Sequence, residues 1–137
     1  MDLIILIGRI LFVAVFLTSA MAHFTQAETM AGYAKAKGVP SPGPAVFIGG
    51  VLLGLGGLSV LLGIWPDLGA LLLAVFLLPT AVLMHGFWKE TDPQARQMEM
   101  IQFFKDVGLG GAALMLVGLF ATLGDDLGLT ITGPLFG

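Results

Sequence analysis

Residues 44–87 read PAVFIGGVLLGLGGLSVLLGIWPDLGALLLAVFLLPTAVLMHGF. Two apolar runs, Pro44–Ile64 and Leu68–Phe87, are separated only by Trp65-Pro66-Asp67. A hydrocarbon core about 30 Å thick takes about 20 helical residues at 1.5 Å each. In lipid every backbone amide needs a partner inside its own segment, so each run is read as a spanning helix. So short a link forces the two helices to lie antiparallel, side by side.

Outward from this pair, Leu3–Ala22 and Phe104–Leu123 have the same character. The expectation is an all-α fold: an integral membrane antiparallel four-helix bundle forming one transmembrane domain over residues 1–137. Composition agrees. Hydrophobic residues make up 57% of the chain and charged residues 11%, against about 25% charged in soluble domains. Mean hydropathy is +0.98. Ser19-Ala20-Met21-Ala22 has the look of a signal-peptide cleavage site. Met1-Asp2 lacks a positive side chain and Arg9 interrupts the apolar run, so the first span is expected to be retained.

The remaining segments take their form from a few residues. His23–Pro44 is polar, with a short interfacial helical piece and then a rigid proline-rich stretch before the second span. The second span carries Gly49, Gly50, Gly54, Gly56, Gly57 and Gly63. The Gly50/Gly54 spacing suits close helix–helix approach, so this span is expected at the centre of the bundle. Pro79 should kink the third span. Asp92-Pro93 reads as N-cap and first helical position. A helix running from there to Leu123 would be about 46 Å long, so its polar first turns (Gln94, Arg96, Gln97, Glu99) are expected outside the hydrocarbon.

Four spans place Lys35, Lys37, Lys89 and Arg96 on one side. Asp2, Asp67, Asp125 and Asp126 fall on the other, with no basic side chain. Lys/Arg-rich loops are cytoplasmic, so both termini are expected on the non-cytoplasmic side of a multi-pass protein in the cell (inner) membrane. The net charge of -3 is small, and no basic stripe or aromatic platform points to nucleic acid, so no nucleic-acid partner is expected. The chain has no cysteine, which excludes disulfides, thiolate metal sites and a dithiol relay.

Ionisable residues at membrane depth are costly and mark candidate sites. Arg9 sits two turns into the first span and is expected to form a structural ion pair with the acidic residues at that end. His23, His85, Lys105 and Asp106 lie at span ends that share the opposite face, with Trp88, Lys89 and Tyr33. These make a candidate cofactor-binding set: His23, His85, Trp88, Lys105 and Asp106. Lys105 is expected to turn inward toward His85, and Asp106 away, since adjacent helical residues point about 100° apart. The plainer reading is an interfacial belt, because Trp, Tyr, His and Lys all favour headgroup level. The two histidines match no metal-ligand spacing, so no metal site is expected; bis-histidine haem ligation is a minor alternative. The catalytic residues, if any, are unknown.

In chain order, Gly8-Arg9, Ser19-Ala20-Met21-Ala22-His23-Phe24, Tyr33 through Lys37-Gly38-Val39-Pro40, Gly56-Gly57 and Gly63, His85-Gly86-Phe87-Trp88 and Phe103-Phe104-Lys105-Asp106-Val107 resemble the DoxX family of small four-helix membrane proteins. The family takes its name from a subunit of a thiosulfate:quinone oxidoreductase. The resemblance implies a quinone-linked redox accessory subunit working with a redox partner protein. No cofactor is expected within the chain, and quinone is the candidate ligand. Two departures stand out: His23 replaces the family's usual lysine, and Leu53 the glutamate many members carry in the second span. Two other readings stay open: a non-catalytic scaffold that anchors a soluble partner, and a small-solute carrier. Membrane lipid and a second copy of the chain are further expected partners.

Overall fold

The computed structural model describes residues 1–137. It contains five helices: α1 (Asp2–Thr25), α2 (Ala27–Ala36), α3 (Pro42–Leu62), α4 (Pro66–Met84) and α5 (Pro93–Leu123). Short 3-10 turns cover Phe87–Lys89 and Gly124–Asp126. α1, α3, α4 and α5 are long and apolar enough to cross a membrane, and α2 is the interfacial piece between the first two.

The helix ends follow from local chemistry. Proline stands at the first turn of α3, α4 and α5, where its missing N–H costs nothing. Asp92 Oδ2 accepts from Ala95 N at 2.9 Å, the expected N-cap. α3 stops at Gly63, whose φ of 68° is the left-handed cap conformation. α4 stops at Met84, three residues before the apolar run does, because the chain turns at His85-Gly86. It passes Pro79 without a break in the helix.

Packing runs in the order α1–α3–α4–α5, with α2 against α3 and α1. α3 can be central because it presents glycine on two faces. A Cβ on Gly50 would lie 2.8 Å from Phe24 Cζ of α1, and one on Gly56 would lie 2.9 Å from the Gly69 carbonyl of α4. Gly54 is less crowded, its nearest neighbour being Ala20 Cβ at 3.8 Å. The core joins Val13, Phe16, Leu53, Leu73, Leu77 and Phe120. Only 28 of 137 residues are buried, while Leu3, Ile4, Leu11, Phe47, Leu55 and Met115 are exposed. An apolar exterior of this extent is suited to lipid rather than water.

At the end of the bundle that holds the termini, backbone groups satisfy the charges. Arg9 is buried, but it is not in the ion pair expected from the sequence. Its Nε donates to Val60 O at 2.8 Å, Nη2 to Leu61 O at 2.6 Å and Nη1 to Leu129 O at 3.0 Å. The reason is the C-terminus of α3, whose last carbonyls lack intrahelical donors and carry the negative end of the helix dipole. A guanidinium fork serves several at once. Asp67 is fully buried at the start of α4. It accepts from Leu68 N (2.9 Å), Leu135 N (2.7 Å) and Phe136 N (2.5 Å), so it pins the C-terminal tail. A parallel bridge between Ile64 and Gly133 fixes the same tail to the α3–α4 turn.

Candidate functional site

The opposite end is built differently. A cavity of about 740 Å³ opens there, lined by residues of all five helices, 17 of 26 hydrophobic. That volume is typical of a small-molecule site, about 300–1,000 Å³. The polar residues on its wall include His23, Tyr33, His85, Lys105 and Asp106. Four of the five residues proposed from the sequence therefore meet at one cavity.

His23 comes from the last turn of α1, and its Nδ1 lies 2.8 Å from Val46 O. A carbonyl only accepts, so Nδ1 carries the proton. The ring is wedged over Gly49 of α3 and packs edge-on against Phe76 at 5.6 Å. Leu53 is 1% exposed and lines the cavity as part of its apolar wall.

α4 ends immediately before His85, which places its ring between two carboxylates of α5. Nδ1 is 2.7 Å from Glu99 Oε2, and Nε2 is 3.7 Å from Asp106 Oδ2. Glu99 is the hub of a wider cluster. Its Oε1 accepts from the Tyr33 hydroxyl at 2.6 Å and lies 3.4 Å from Lys37 Nζ, which also donates to Glu90 Oε1 at 3.0 Å. Through these contacts the C-terminal end of α2 is strapped to α5 beside the cavity that Tyr33 and His85 line. Burial and the Glu99 carboxylate raise the Tyr33 hydroxyl above its ordinary value. Burial works to lower the Lys37 ammonium, but Glu90, Tyr33 and Glu99 outweigh it and leave it above the lysine range.

The inward choice on α5 is the reverse of the sequence expectation. Asp106 is 7% exposed and Lys105 is exposed, with Nζ donating to Gln102 Oε1 of its own helix at 2.6 Å. The cause is the helical stripe Asp106, Gly110, Ala113 and Phe120, which forms the buried face of α5; Lys105 is one step off it, at the rim. Trp88 is half exposed and does not line the cavity. It packs edge-on with Phe87 and Phe103 at 5.4 and 5.5 Å, in an aromatic cluster that includes Phe104. Arg96 lies over the Phe87 ring at 5.6 Å. This cluster fits the interfacial-belt reading for Trp88.

Sequence reasoning missed Glu99 and Glu90, and used Lys37 only for topology. Glu99 carried a signal, since Glu99, Asp106, Ala113 and Phe120 recur every seventh residue on one face of α5. No three His, Asp or Glu side chains converge as a metal-ion cage.

The fold and cavity define a class: a four-span membrane protein with an apolar pocket, whose polar groups cluster at one end. The DoxX family model matches residues 4–86. YphA, an inner membrane protein of Escherichia coli (strain K12), is 30% identical over 113 residues, covering 82% of this chain and 80% of that protein. The chain belongs to the DoxX family. No solved structure matches it. The family match ends at Gly86, so Glu99 and Asp106 lie beyond it.

Proposed function

We propose that this protein is an inner-membrane, quinone-linked accessory subunit that works with a redox partner and holds a quinone-class molecule in its cavity. The observation that carries the reading is the convergence of His23, His85 and Asp106 on an apolar cavity of about 740 Å³. An apolar wall suits a prenyl-type tail, and the polar end suits a ring bearing oxygen atoms. With no cysteine in the chain, electrons would have to reside on a bound molecule or a partner. The name of the relative supports an inner-membrane location. The basic loops support a cytoplasmic position for the cavity end and an outward position for both termini.

The test is direct. Protein purified gently in native lipid should yield quinone on extraction at a ratio above that of the surrounding membrane, and His85→Ala should lower that ratio without unfolding the bundle. Quinone at the bulk membrane ratio would reject the reading. For orientation, a periplasm-active reporter fused after Gly137 should be active and a cytoplasm-active one silent.

A scaffold role has one observation in its favour. Phe87, Trp88, Phe103 and Phe104, with Arg96 over them, form a partly exposed aromatic patch on the basic side. Such a patch suits docking to a soluble protein or to headgroups.

A further inference from the structure

Two polar groups on the cavity wall, the ionised Asp106 carboxylate and His23 Nε2, have accepting atoms that receive no hydrogen bond from the protein. Asp106 is 7% exposed, and neither carboxylate oxygen makes a hydrogen bond; the ring nitrogen facing it, His85 Nε2, is 3.7 Å away, beyond hydrogen-bond range. His23 is equally buried. Its Nδ1 proton is committed to Val46 O, so in the neutral ring Nε2 offers a lone pair. No fully buried side-chain nitrogen or oxygen lacks a hydrogen-bond partner. The free atoms of Asp106 and His23 are therefore accessible, and both residues line the cavity.

The donors that might balance them are spent or neutral to the question. His85 commits Nδ1 to Glu99 and holds Nε2 3.7 Å from Asp106 Oδ2, too far for a hydrogen bond; the Tyr33 hydroxyl also goes to Glu99, and the Lys105 ammonium is at the rim on Gln102. The hydroxyls of Ser19 and Thr80 on the wall serve either role. A buried carboxylate without a donor is costly, and a ligand that supplies one removes that cost.

We infer that the cavity selects an apolar molecule whose polar head donates hydrogen bonds, and that within the quinone class it binds the hydroquinone in preference to the quinone. A hydroquinone carries two O–H donors on opposite sides of its ring, whereas a quinone carries only acceptor carbonyls and would set oxygen against the Asp106 carboxylate. This rests on the quinone-class reading of the cavity and adds the oxidation state it prefers. Asp106 and His23 are the residues assigned to the two hydroxyls.

The experiment uses the full chain in lipid nanodiscs of phosphatidylethanolamine and phosphatidylglycerol, under anaerobic conditions. A decyl benzoquinone and its hydroquinone are titrated separately, and the bound amount above empty nanodiscs is quantified by chromatography. The hydroquinone should bind about ten- to a hundredfold more tightly, the scale of one hydrogen bond to a charged group. Asp106→Asn, whose amide can donate to a carbonyl, should narrow that ratio severalfold. Equal binding of the two forms, or tighter quinone binding, would overturn the inference and leave the cavity reading standing. Binding of neither form would overturn the cavity reading itself. An unchanged ratio in Asp106→Asn with native melting would remove Asp106 from the assignment. If that variant does not fold, the ratio measured on the native protein still decides the preference.

Discussion

The two ends of this bundle handle buried charge in opposite ways. At the terminal end Arg9 and Asp67 are held by backbone: three carbonyls for one, three amides for the other. At the cavity end Glu99 is held by Tyr33, His85 and Lys37, and Asp106 by nothing within hydrogen-bond range. Backbone groups do not titrate and do not swing away, so a charge locked on them serves architecture. Side chains that titrate and rotate leave a charge available to a ligand. Location in the membrane thus distinguishes these charges less well than the kind of group that satisfies them.

The comparison can be broken most easily at Asp67. Asp67→Ala leaves three amides at a buried site without an acceptor and frees the tail. It should cost about 3–5 kcal/mol, read as a lower midpoint in detergent unfolding, and a native midpoint would end the architectural reading of that carboxylate. Arg9→Ala comes next, at about 2–3 kcal/mol for charged hydrogen bonds to helix-end carbonyls. Arg9→Lys should recover only part of it, because an ammonium lacks the planar fork that reaches Val60 and Leu61 together. Full rescue by lysine in a thermal melt would show that charge alone is what this end requires.

The cavity end should respond weakly in stability. Glu99→Gln should cost about 1 kcal/mol or less in global unfolding. Hydrogen exchange in α2 should nevertheless speed up, since Tyr33 and Lys37 lose their shared partner. A global cost as large as that of Asp67→Ala would erase the distinction between the ends. The smallest effect belongs to alkaline pH. Tyr33 and Lys37 both titrate above their ordinary values of 10.0 and 10.5. The folded state favours the protonated form of each. Their contribution is therefore complete below those values and is lost as pH rises through the higher folded-state ones. Exchange in α2 should accelerate over that range while α3 and α4 stay protected.

Fold and site were legible in the sequence to different depths. Hydropathy and length gave the four helices, and Pro42, Pro66, Asp92 and Gly63 punctuate them locally. The ends that share a face follow from topology alone, which brought His23, His85 and Asp106 together before any side chain was placed. Partner choice did not follow. Arg9 has acidic residues at its end of the bundle, yet it bonds carbonyls at the end of α3, which lack donors within their own helix. Lys105 and Asp106 were assigned from reach and chemistry, whereas the seven-residue stripe of α5 decides which one turns inward. Trp88 was grouped by depth with residues that the turn at His85-Gly86 separates from it.

The three amides on Asp67 also impose an order in time. Synthesis runs from the N-terminus, so Asp67 emerges and α3 and α4 can pair long before Leu135 and Phe136 exist. Until those two residues arrive, the carboxylate has only Leu68 N of its three native donors and must stay hydrated. Closure of this end is thereby tied to delivery of the tail, and a chain cut before Leu135 would leave the Asp67 carboxylate without two of its three native donors.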